Sequence, residues 1–409
     1  MKITILTVGS RGDVQPFLAL AVGLKEAGHE VNFGANPEFK EFIGSRGIKF
    51  NLIRNNPMDI LKEKYKDTPY KERRKIYYDF MKNWVADGID AARNSDLIIF
   101  TPVYHVGYHI AEKLKLPVIK ASYVPYTPTK EFSNPFFRPL PKFLSKPSYL
   151  ISQFFEWQFI KNNINQLRKE VLGLEKIPVT GMMHKQHKEK MPVIYGFSES
   201  VIPRPKDWPE WIRITGYWFL KDLEDYSPQN DLQNFLNDGD APLYFDIGSL
   251  GVYSNSIITK TVTALSKTGY RIIANPGKSG IESKIKNSNI FYVDGSVPHA
   301  WILPRVKAVI SHGGPSSVAS ILKAGKPLAI IPIYGDHKFW ARKVYRLKVG
   351  TPPLQLKNLN EKTITGTAGI LMSDKELESN AKRLSEKIGA ENGIGNAIDF
   401  IEKYYRSIS

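Results

Sequence analysis

Two turns in the sequence carry polar and charged side chains directly after apolar runs that have the character of β-strands. The later turn is Ser311-His312-Gly313-Gly314-Pro315-Ser316-Ser317. Its two glycines let a ligand approach the backbone, and Pro315 begins a helix whose free N–H groups and positive dipole end favour phosphate. The ring of His312 and the hydroxyls of Ser316 and Ser317 add hydrogen-bond donors. The turn therefore predicts a diphosphate site, although a serine N-cap after a glycine-rich turn gives the same pattern.

The earlier turn lies near the first residue, where Ile3 to Val8 leads into Gly9-Ser10-Arg11-Gly12-Asp13. A strand, a glycine-bearing turn and a helix begin a nucleotide-binding α/β unit, but the G-x-G-x-x-G spacing of dinucleotide folds is missing. An arginine and a carboxylate occupy the turn instead. Asp13 is either the N-cap of a helix that begins near Val14 or a functional carboxylate. The tripeptide Arg11-Gly12-Asp13 also matches a cell-adhesion motif, but such matches are common by chance.

Further polar residues follow other predicted strands in the C-terminal half. The stretch PLYFDIGSLG has Gly248 and Ser249 at a strand end, and VPHAWILPRV precedes the strand that leads to His312. Asp336 and His337 follow another buried strand, where a carboxylate can accept hydrogen bonds from sugar hydroxyls. Ligands of open α/β sheets bind beyond the carboxyl ends of the strands, so we expect these turns to converge on one site.

The elements that position these turns alternate between apolar strands and helical patterns. Strands are predicted at Ile3 to Val8, Val31 to Gly34 and Leu97 to Phe100, and a second cycle begins after Asp240. Such alternation predicts right-handed βαβ units, so the fold class is α/β with two parallel-sheet domains. The predicted organisation is an N-terminal domain over 1–200, a linker over 201–240, a C-terminal domain over 241–390 and a C-terminal helix over 391–409.

Composition limits the kind of protein. The 409 residues are 42% hydrophobic and 24% charged, which allows a large core and favours two domains. There is no cysteine and no apolar run near the roughly 20 residues that span a bilayer, so a cytoplasmic location is predicted. The net charge of +17 suits nucleic acid, an anionic membrane or a phosphorylated substrate, or only solubility. Nucleic-acid binding does not explain the strand-end motifs and is not predicted.

An aromatic and basic segment from Glu131 to Leu174 separates the two cycles of strands. It begins as a proline-broken loop and becomes a helix crowded with aromatic side chains, for which a place in the core is the common outcome. The alternative is an apolar acceptor groove or a face that contacts an anionic membrane, because basic and aromatic residues alternate as in interfacial segments. The aromatic residues are Phe136, Phe137, Phe143, Tyr149, Phe154, Phe155, Trp157 and Phe159, and the basic ones are Arg138, Lys142 and Lys146.

Together these stretches resemble the family-1 nucleotide-sugar glycosyltransferases of the GT-B fold, and most of all the branch of sterol and lipid glucosyltransferases and glycopeptide-antibiotic glycosyltransferases. The resemblance implies two Rossmann-like domains that face each other across a cleft. No single motif is specific, but the ordered set is. The matching stretches are GSRGDVQPFLALAVGLKEAGH, PYTPT, IPRPKDWP, ITGYWFL, VPHAWILPR, HGG and GDHKFWARKV.

The resemblance also implies where a donor would bind. The family's donor is usually a uridine diphosphate sugar held mainly by the C-terminal domain. Uracil is implied near Val297 and the segment up to Trp301, the diphosphate at Ser249 and the His312 turn, and the sugar hydroxyls at the Asp336-His337 pair. The implied donor-binding residues are Ser10, Arg11, Gly248, Ser249, Val297, His299, Trp301, His312, Gly313, Gly314, Ser316, Ser317, Asp336 and His337.

From across the cleft, the first turn is implied to serve the acceptor. Asp13 would lie at the acceptor hydroxyl and take its proton as general base, because an alcohol has too high a pKa to attack well at neutral pH. Arg11 would offset charge on the departing diphosphate. The expected reaction inverts the anomeric carbon and moves a sugar, with glucose as first choice, to a hydrophobic acceptor such as a sterol, terpenoid, lipid or aromatic natural product.

Three residues depart from the family's pattern. Ser316 stands where the family usually has glycine, Val318 replaces a second hydroxyl residue, and His337 replaces a glutamine and is expected to be partly cationic near its usual pKa of about 6.5. The departures keep two alternatives open, a nucleotide-sugar-binding protein with little turnover and a GT-B-fold nucleotide-sugar epimerase or hydrolase. The triplet Asp238-Gly239-Asp240 is interpreted as a linker cap, so no metal and no cofactor besides the donor are predicted.

Overall fold

The structure, a computed structural model, describes residues 1–61, 68–220, 226–247, 255–275, 280–293 and 297–408. These residues form two parallel β-sheets packed against helices. The strands of the first sheet are β1 (Lys2–Leu6), β2 (Glu30–Ala35), β3 (Lys49–Leu52), β4 (Leu97–Phe100), β5 (Val118–Ser122), β6 (Val193–Tyr195) and β7 (Ile212–Ile214). Those of the second are β8 (Leu243–Asp246), β9 (Ile272–Asn275), β10 (Ile290–Tyr292), β11 (Ala308–Ser311) and β12 (Leu328–Ile330).

The α-helices of the N-terminal half are α1 (Arg11–Glu26), α2 (Lys40–Gly44), α3 (Tyr70–Ala92), α4 (Gly107–Leu114), α5 (Ser145–Leu167) and α6 (Met182–Lys188). Those of the C-terminal half are α7 (Asn230–Asn237), α8 (Asn255–Leu265), α9 (His299–Ile302), α10 (Pro315–Lys323), α11 (His337–Arg346), α12 (Glu361–Ser373), α13 (Lys375–Gly389) and α14 (Gly393–Arg406). A π-helical turn, Arg168–Leu172, continues α5.

Strand order explains where the polar turns meet. The first sheet has the order β3-β2-β1-β4-β5-β6-β7 and the second the order β10-β9-β8-β11-β12, with all pairs parallel. The order reverses between β1 and β4 and again between β8 and β11, and the crevice at such a point is the usual ligand site of an open α/β sheet. The central strands are buried along their whole length, as continuous apolar runs such as Leu97–Phe100 predict. The predicted α/β class is confirmed.

Two segments lie in a different unit from the one that their position in the sequence suggests. β7 lies within the predicted linker 201–240, but it pairs with β6 and completes the N-terminal sheet. α14 follows the C-terminal domain in the chain, yet it packs on α1, where Ala397 and Ile401 join the N-terminal core. The start of α14 touches the chain just after β7, so closely that a Cβ on Gly393 would lie 2.2 Å from the carbonyl oxygen of Tyr217.

The aromatic segment has two different faces. Tyr149 and Trp157 of α5 are buried, as the core-helix interpretation predicts, whereas Phe143, Phe155 and Phe159 are 78%, 66% and 59% exposed. The core-helix interpretation therefore holds for one face of the segment only. Within the described ranges, no helix combines the length and the apolar character that a bilayer crossing needs.

Candidate active site

Asp13 is fixed by the start of α1. The helix begins at Arg11 with Ser10 as its N-cap, so Asp13 is the third helical residue and the expectation that it caps a helix starting near Val14 is wrong. Asp13 Oδ2 accepts hydrogen bonds from the Ser10 backbone N–H at 2.8 Å and from Ser10 Oγ at 2.7 Å. Gly9 has φ +126°, and a Cβ there would lie 2.6 Å from Asp13 Oδ2. Glycine at position 9 is thus required for the carboxylate to reach the turn.

A tyrosine holds the second oxygen of Asp13. Tyr123 follows β5, next to β4 in the sheet, and its hydroxyl donates to Asp13 Oδ1. Burial, together with the charges of Asp13 and Asp336, raises the pKa of Tyr123 well above its ordinary value, so the phenol keeps its proton. The sequence reasoning missed Tyr123. Its position at the carboxyl end of a strand, two residues before the PYTPT stretch, was the available signal.

The two domains meet directly at the site. Pro16 lies inside α1 and has no N–H, so the carbonyl of Gly12, four residues earlier, lacks its usual helical partner. Ser316, at the start of α10 in the other domain, fills this position and donates from Oγ to Gly12 O at 2.9 Å. The serine that departs from the family's glycine therefore joins the first turn to the predicted diphosphate turn.

The predicted diphosphate turn has the expected form. It follows β11, and α10 begins at Pro315 with Gly314 as N-cap. Side chains are excluded at both glycines, because a Cβ on Gly313 would lie 2.5 Å from Ile330 Cγ2 and one on Gly314 would lie 2.4 Å from His312 Nε2. Packing therefore requires glycine at both positions, and the start of α10 has the free N–H groups that an anion site at a helix N-terminus uses.

Three histidines gather behind this turn. The rings of His312 and His337 are 5.0 Å apart, and His299 Nε2 lies 3.3 Å from Oδ2 of the buried Asp246 at the end of β8. Burial lowers the pKa of His312, and burial with the neighbouring His312 lowers that of His337 to about 3. The expectation that His337 is partly cationic is therefore wrong. Its buried Nδ1 has no hydrogen-bond partner among the described residues.

Asp336 faces Asp13 across the cleft. It is the N-cap residue of α11, and its Oδ2 accepts a hydrogen bond from Trp340 Nε1 at 2.8 Å. Burial raises the pKa of Asp336 to about 6, with the charge of Asp13 adding to the rise and the Trp340 bond opposing it. The site thus has one carboxylate from each domain, near enough for the charge of Asp13 to act on Asp336.

Other predicted site residues lie elsewhere or outside the described part of the chain. The guanidinium of Arg11 lies 4.6 Å from the ring centre of Phe42, and its Nε donates to Gln15 Oε1, both within its own domain. Gly248 and Ser249 fall outside the described residues, and Ser317 is half-buried on α10.

The segment implied for uracil is packed rather than open. Val297 is buried in the core. The Trp301 ring contacts the side chains of Tyr226 and Arg305. It also lines a cavity of about 500 Å³, together with several residues between 228 and 241, which precede β8. The indole is thus packed against residues that precede β8, and its role in donor binding stays a prediction.

The interpretation of the triplet Asp238-Gly239-Asp240 as a linker cap stays a prediction. Asp240 accepts a hydrogen bond through its carbonyl oxygen from Arg271 at 2.8 Å, next to the start of β8. Across the described ranges, no three His, Cys, Asp or Glu side chains cluster closely enough to hold a metal ion.

Two facing parallel-sheet domains with polar turns on the shared cleft are the architecture of the GT-B fold, and solved structures share it. The calicheamicin glycosyltransferase CalG4 superposes with a TM-score of 0.73 at 16% identity and covers 98% of both chains. The glycosyltransferase VinC, solved in complex with dTDP, gives 0.70 at 15% identity over 100% of both chains. At these identities the likeness concerns the fold alone.

Sequence comparisons give the family. Residues 3–133 match the glycosyltransferase family 28 N-terminal domain, and residues 297–390 match the UDP-glucoronosyl and UDP-glucosyl transferase family. The chain belongs to the GT-B nucleotide-sugar glycosyltransferases, which confirms the resemblance seen in its motifs.

Sterol 3-beta-glucosyltransferases are among its relatives. The Debaryomyces hansenii protein is 32% identical over 434 residues, which is 99% of this chain and 27% of the relative. The Arabidopsis thaliana protein is 31% identical over 423 residues, which is 100% of this chain and 66% of the relative. The chain thus spans between about a quarter and two thirds of these relatives' lengths.

Proposed function

We propose that the chain transfers a sugar, with glucose as first choice, from a uridine diphosphate donor to the hydroxyl of a sterol or a similar hydrophobic alcohol. Similarity to sterol 3-beta-glucosyltransferases over nearly the whole chain supports the acceptor class and the sugar. The UDP-glucosyl transferase match in the C-terminal domain supports the donor. The observation that carries the proposal is the Asp13 carboxylate, which is oriented by Ser10 and Tyr123 and faces Asp336 of the other domain.

The chemistry assigned to Asp13 is proton transfer. As the acceptor oxygen bonds to the anomeric carbon, the bond from that carbon to the diphosphate oxygen breaks and the diphosphate leaves with the electron pair. The acceptor's proton passes to the Asp13 carboxylate. A single displacement of this kind inverts the anomeric centre, so an α-linked donor gives a β-glycoside. The amides and dipole at the start of α10 favour the charge on the leaving group.

Exchange of Asp13 for asparagine tests the base. The Asp13→Asn variant keeps an oxygen for the Ser10 N–H but removes the proton acceptor, so kcat is expected to fall by about 10²- to 10⁴-fold. Glu26→Gln, an exposed change at the other end of α1, is the matched control and should keep full activity. Transfer of glucose from UDP-glucose to a detergent-dispersed sterol, followed by mass spectrometry, is the assay. Full activity in Asp13→Asn would remove the proposed base.

The donor has its own test. A ligand that binds only the folded state raises the melting temperature, so UDP-glucose and UDP should stabilise the wild-type chain more than the thymidine compounds do. No shift with any uridine or thymidine diphosphate compound would refute the donor. Stabilisation without transfer to any sterol, lipid or phenol would instead favour the nucleotide-sugar-binding alternative, and release of free or isomerised sugar would favour the hydrolase or epimerase.

A further inference from the structure

Large apolar side chains are exposed along one stretch of the N-terminal domain. Residues 136–159, called here the α5 surface, contain 10 of the 19 exposed large apolar side chains found among the described residues. Soluble surfaces carry such side chains singly, whereas a contiguous patch marks an interaction site. They are Phe136, Phe137, Leu140, Phe143, Leu144, Leu150, Ile151, Phe154, Phe155 and Phe159.

The arrangement on α5 makes the patch continuous. Ile151, Phe155 and Phe159 are spaced four residues apart and form one row on the helix, and Leu150 and Phe154 form a second row beside it. The opposite face of α5 is buried through Tyr149 and Trp157. A helix that is apolar on both faces is expected to be covered on both.

The charges around the patch indicate what covers it. The α5 surface includes three basic side chains, Arg138, Lys142 and Lys146, against one acidic side chain, Glu156. All three basic side chains are exposed, and Lys146 lies in line with the row of Leu150 and Phe154. Bulky apolar side chains bordered by lysine and arginine are the composition of a helix that lies in the headgroup region of an anionic bilayer. A second copy of a chain with net charge +17 would bring like charges together.

The patch continues into the catalytic cleft. The ring of Phe136 stacks on Tyr126 at 5.5 Å, and a Cβ on Gly335, next to Asp336, would lie 3.5 Å from Phe136 Cε1. Arg342 of the C-terminal domain donates to the carbonyl of Phe137 at 3.3 Å. One end of the α5 surface therefore lies beside the Asp13–Asp336 site, while its other end is exposed.

We propose that the α5 surface docks on an anionic lipid bilayer and that the acceptor passes from the bilayer along this surface to Asp13. The docking rests on the exposed residues alone, whereas the passage of the acceptor rests on the proposed function. Two changes test it separately, Phe143→Ser with Phe155→Ser and Lys142→Gln with Lys146→Gln. Leu356→Ser with Lys357→Gln, an exposed apolar and basic pair on the other domain, is the matched control.

Flotation with vesicles of phosphatidylcholine alone, or mixed with phosphatidylserine, measures the docking. The wild-type chain and the control should float with the mixed vesicles. Each test variant should bind at least about tenfold more weakly, because one loses apolar side chains that enter the headgroup region and the other loses lysines that are attracted to the anionic surface. Equal binding by all variants, or no binding by the wild type, would overturn the proposal. A dimer in analytical ultracentrifugation that Phe143→Ser with Phe155→Ser dissociates, without vesicle binding, would overturn it in favour of a second copy.

Transfer assays separate this proposal from the proposed function. Both test variants should glucosylate detergent-dispersed sterol at the wild-type rate but lose at least about tenfold in rate with sterol in mixed vesicles, in step with their weaker binding. An unchanged rate on vesicle sterol would refute the passage of the acceptor. If the wild type binds vesicles but transfers no sugar in detergent, the docking stands and the proposed function fails.

Discussion

Replacing Asp336 with asparagine is expected to stabilise the folded protein at neutral and alkaline pH. Burial of Asp336, with the charge of Asp13 nearby, raises its pKa to about 6 from an ordinary 3.8, against the opposing hydrogen bond from Trp340. The ionised form is therefore disfavoured in the folded state relative to the unfolded state. At about 1.36 kcal/mol per pH unit, this lowers the free energy of unfolding by about 3 kcal/mol.

The stabilisation expected of Asp336→Asn depends on pH. Below about pH 3 the carboxyl is mostly protonated in both states and the destabilisation is nearly absent; it grows as the pH rises from about 3 to about 6 and is nearly complete from about pH 7 upward. Asparagine resembles the protonated carboxyl and keeps an oxygen for Trp340, so Asp336→Asn should gain about 3 kcal/mol at about pH 8 and little at about pH 4.

Urea unfolding of the wild type and the variant at these two pH values measures the gain. Asp90→Asn is the control, because the Asp90 side chain is 71% exposed and its replacement should change the free energy of unfolding by less than about 0.5 kcal/mol. If Asp336→Asn were no more stable than the wild type at about pH 8, or gained equally at both values, the argument from burial would be refuted.

Two further substitutions test the supports of the site and of the fold. Tyr123→Phe removes the hydroxyl that donates to Asp13 Oδ1, so kcat should fall by about tenfold with KM little changed, whereas a merely structural tyrosine would leave kcat in place. Arg168 donates to both carboxylate oxygens of Glu112, at 2.7 and 3.0 Å, and its side chain is only 1% exposed. Arg168→Met removes these bonds, so urea unfolding should show a loss of about 3 kcal/mol in the free energy of unfolding. Arg93→Met, at a site 69% exposed, should lose less than about 0.5 kcal/mol, and an equal loss in both would contradict a role for burial.

The sequence predicted the features that depend on a short stretch of neighbouring residues. Continuous apolar runs such as Leu97–Phe100 identified strands of a buried parallel sheet, and the turns after them met where strand order reverses. β7 was missed as a strand because Ile212–Ile214 is only three residues long, with an exposed Arg213, in a proline-rich stretch. Its assignment depends on a partner strand, which a local pattern does not contain.

The site was harder to predict because its contacts join residues that are far apart in the sequence. The hydroxyl of Tyr123 reaches a residue 110 positions away, and Ser316 bonds to a carbonyl 304 positions away. Trp301 matched a motif but packs with residues that precede β8. The ordinary pKa assumed for His337 failed because burial, which the sequence does not state, outweighs its intrinsic basicity.

The contact between α14 and the end of β7 bears on how the cleft can move. The backbone passes between the domains twice, between β7 and β8 and again between α13 and α14, and the close approach of Gly393 to Tyr217 brings the two crossings side by side. Two adjacent connections restrict the sliding of one domain along the other more than a rotation about the place where they lie side by side. Any such rotation would keep Asp13 and Asp336 in the same register.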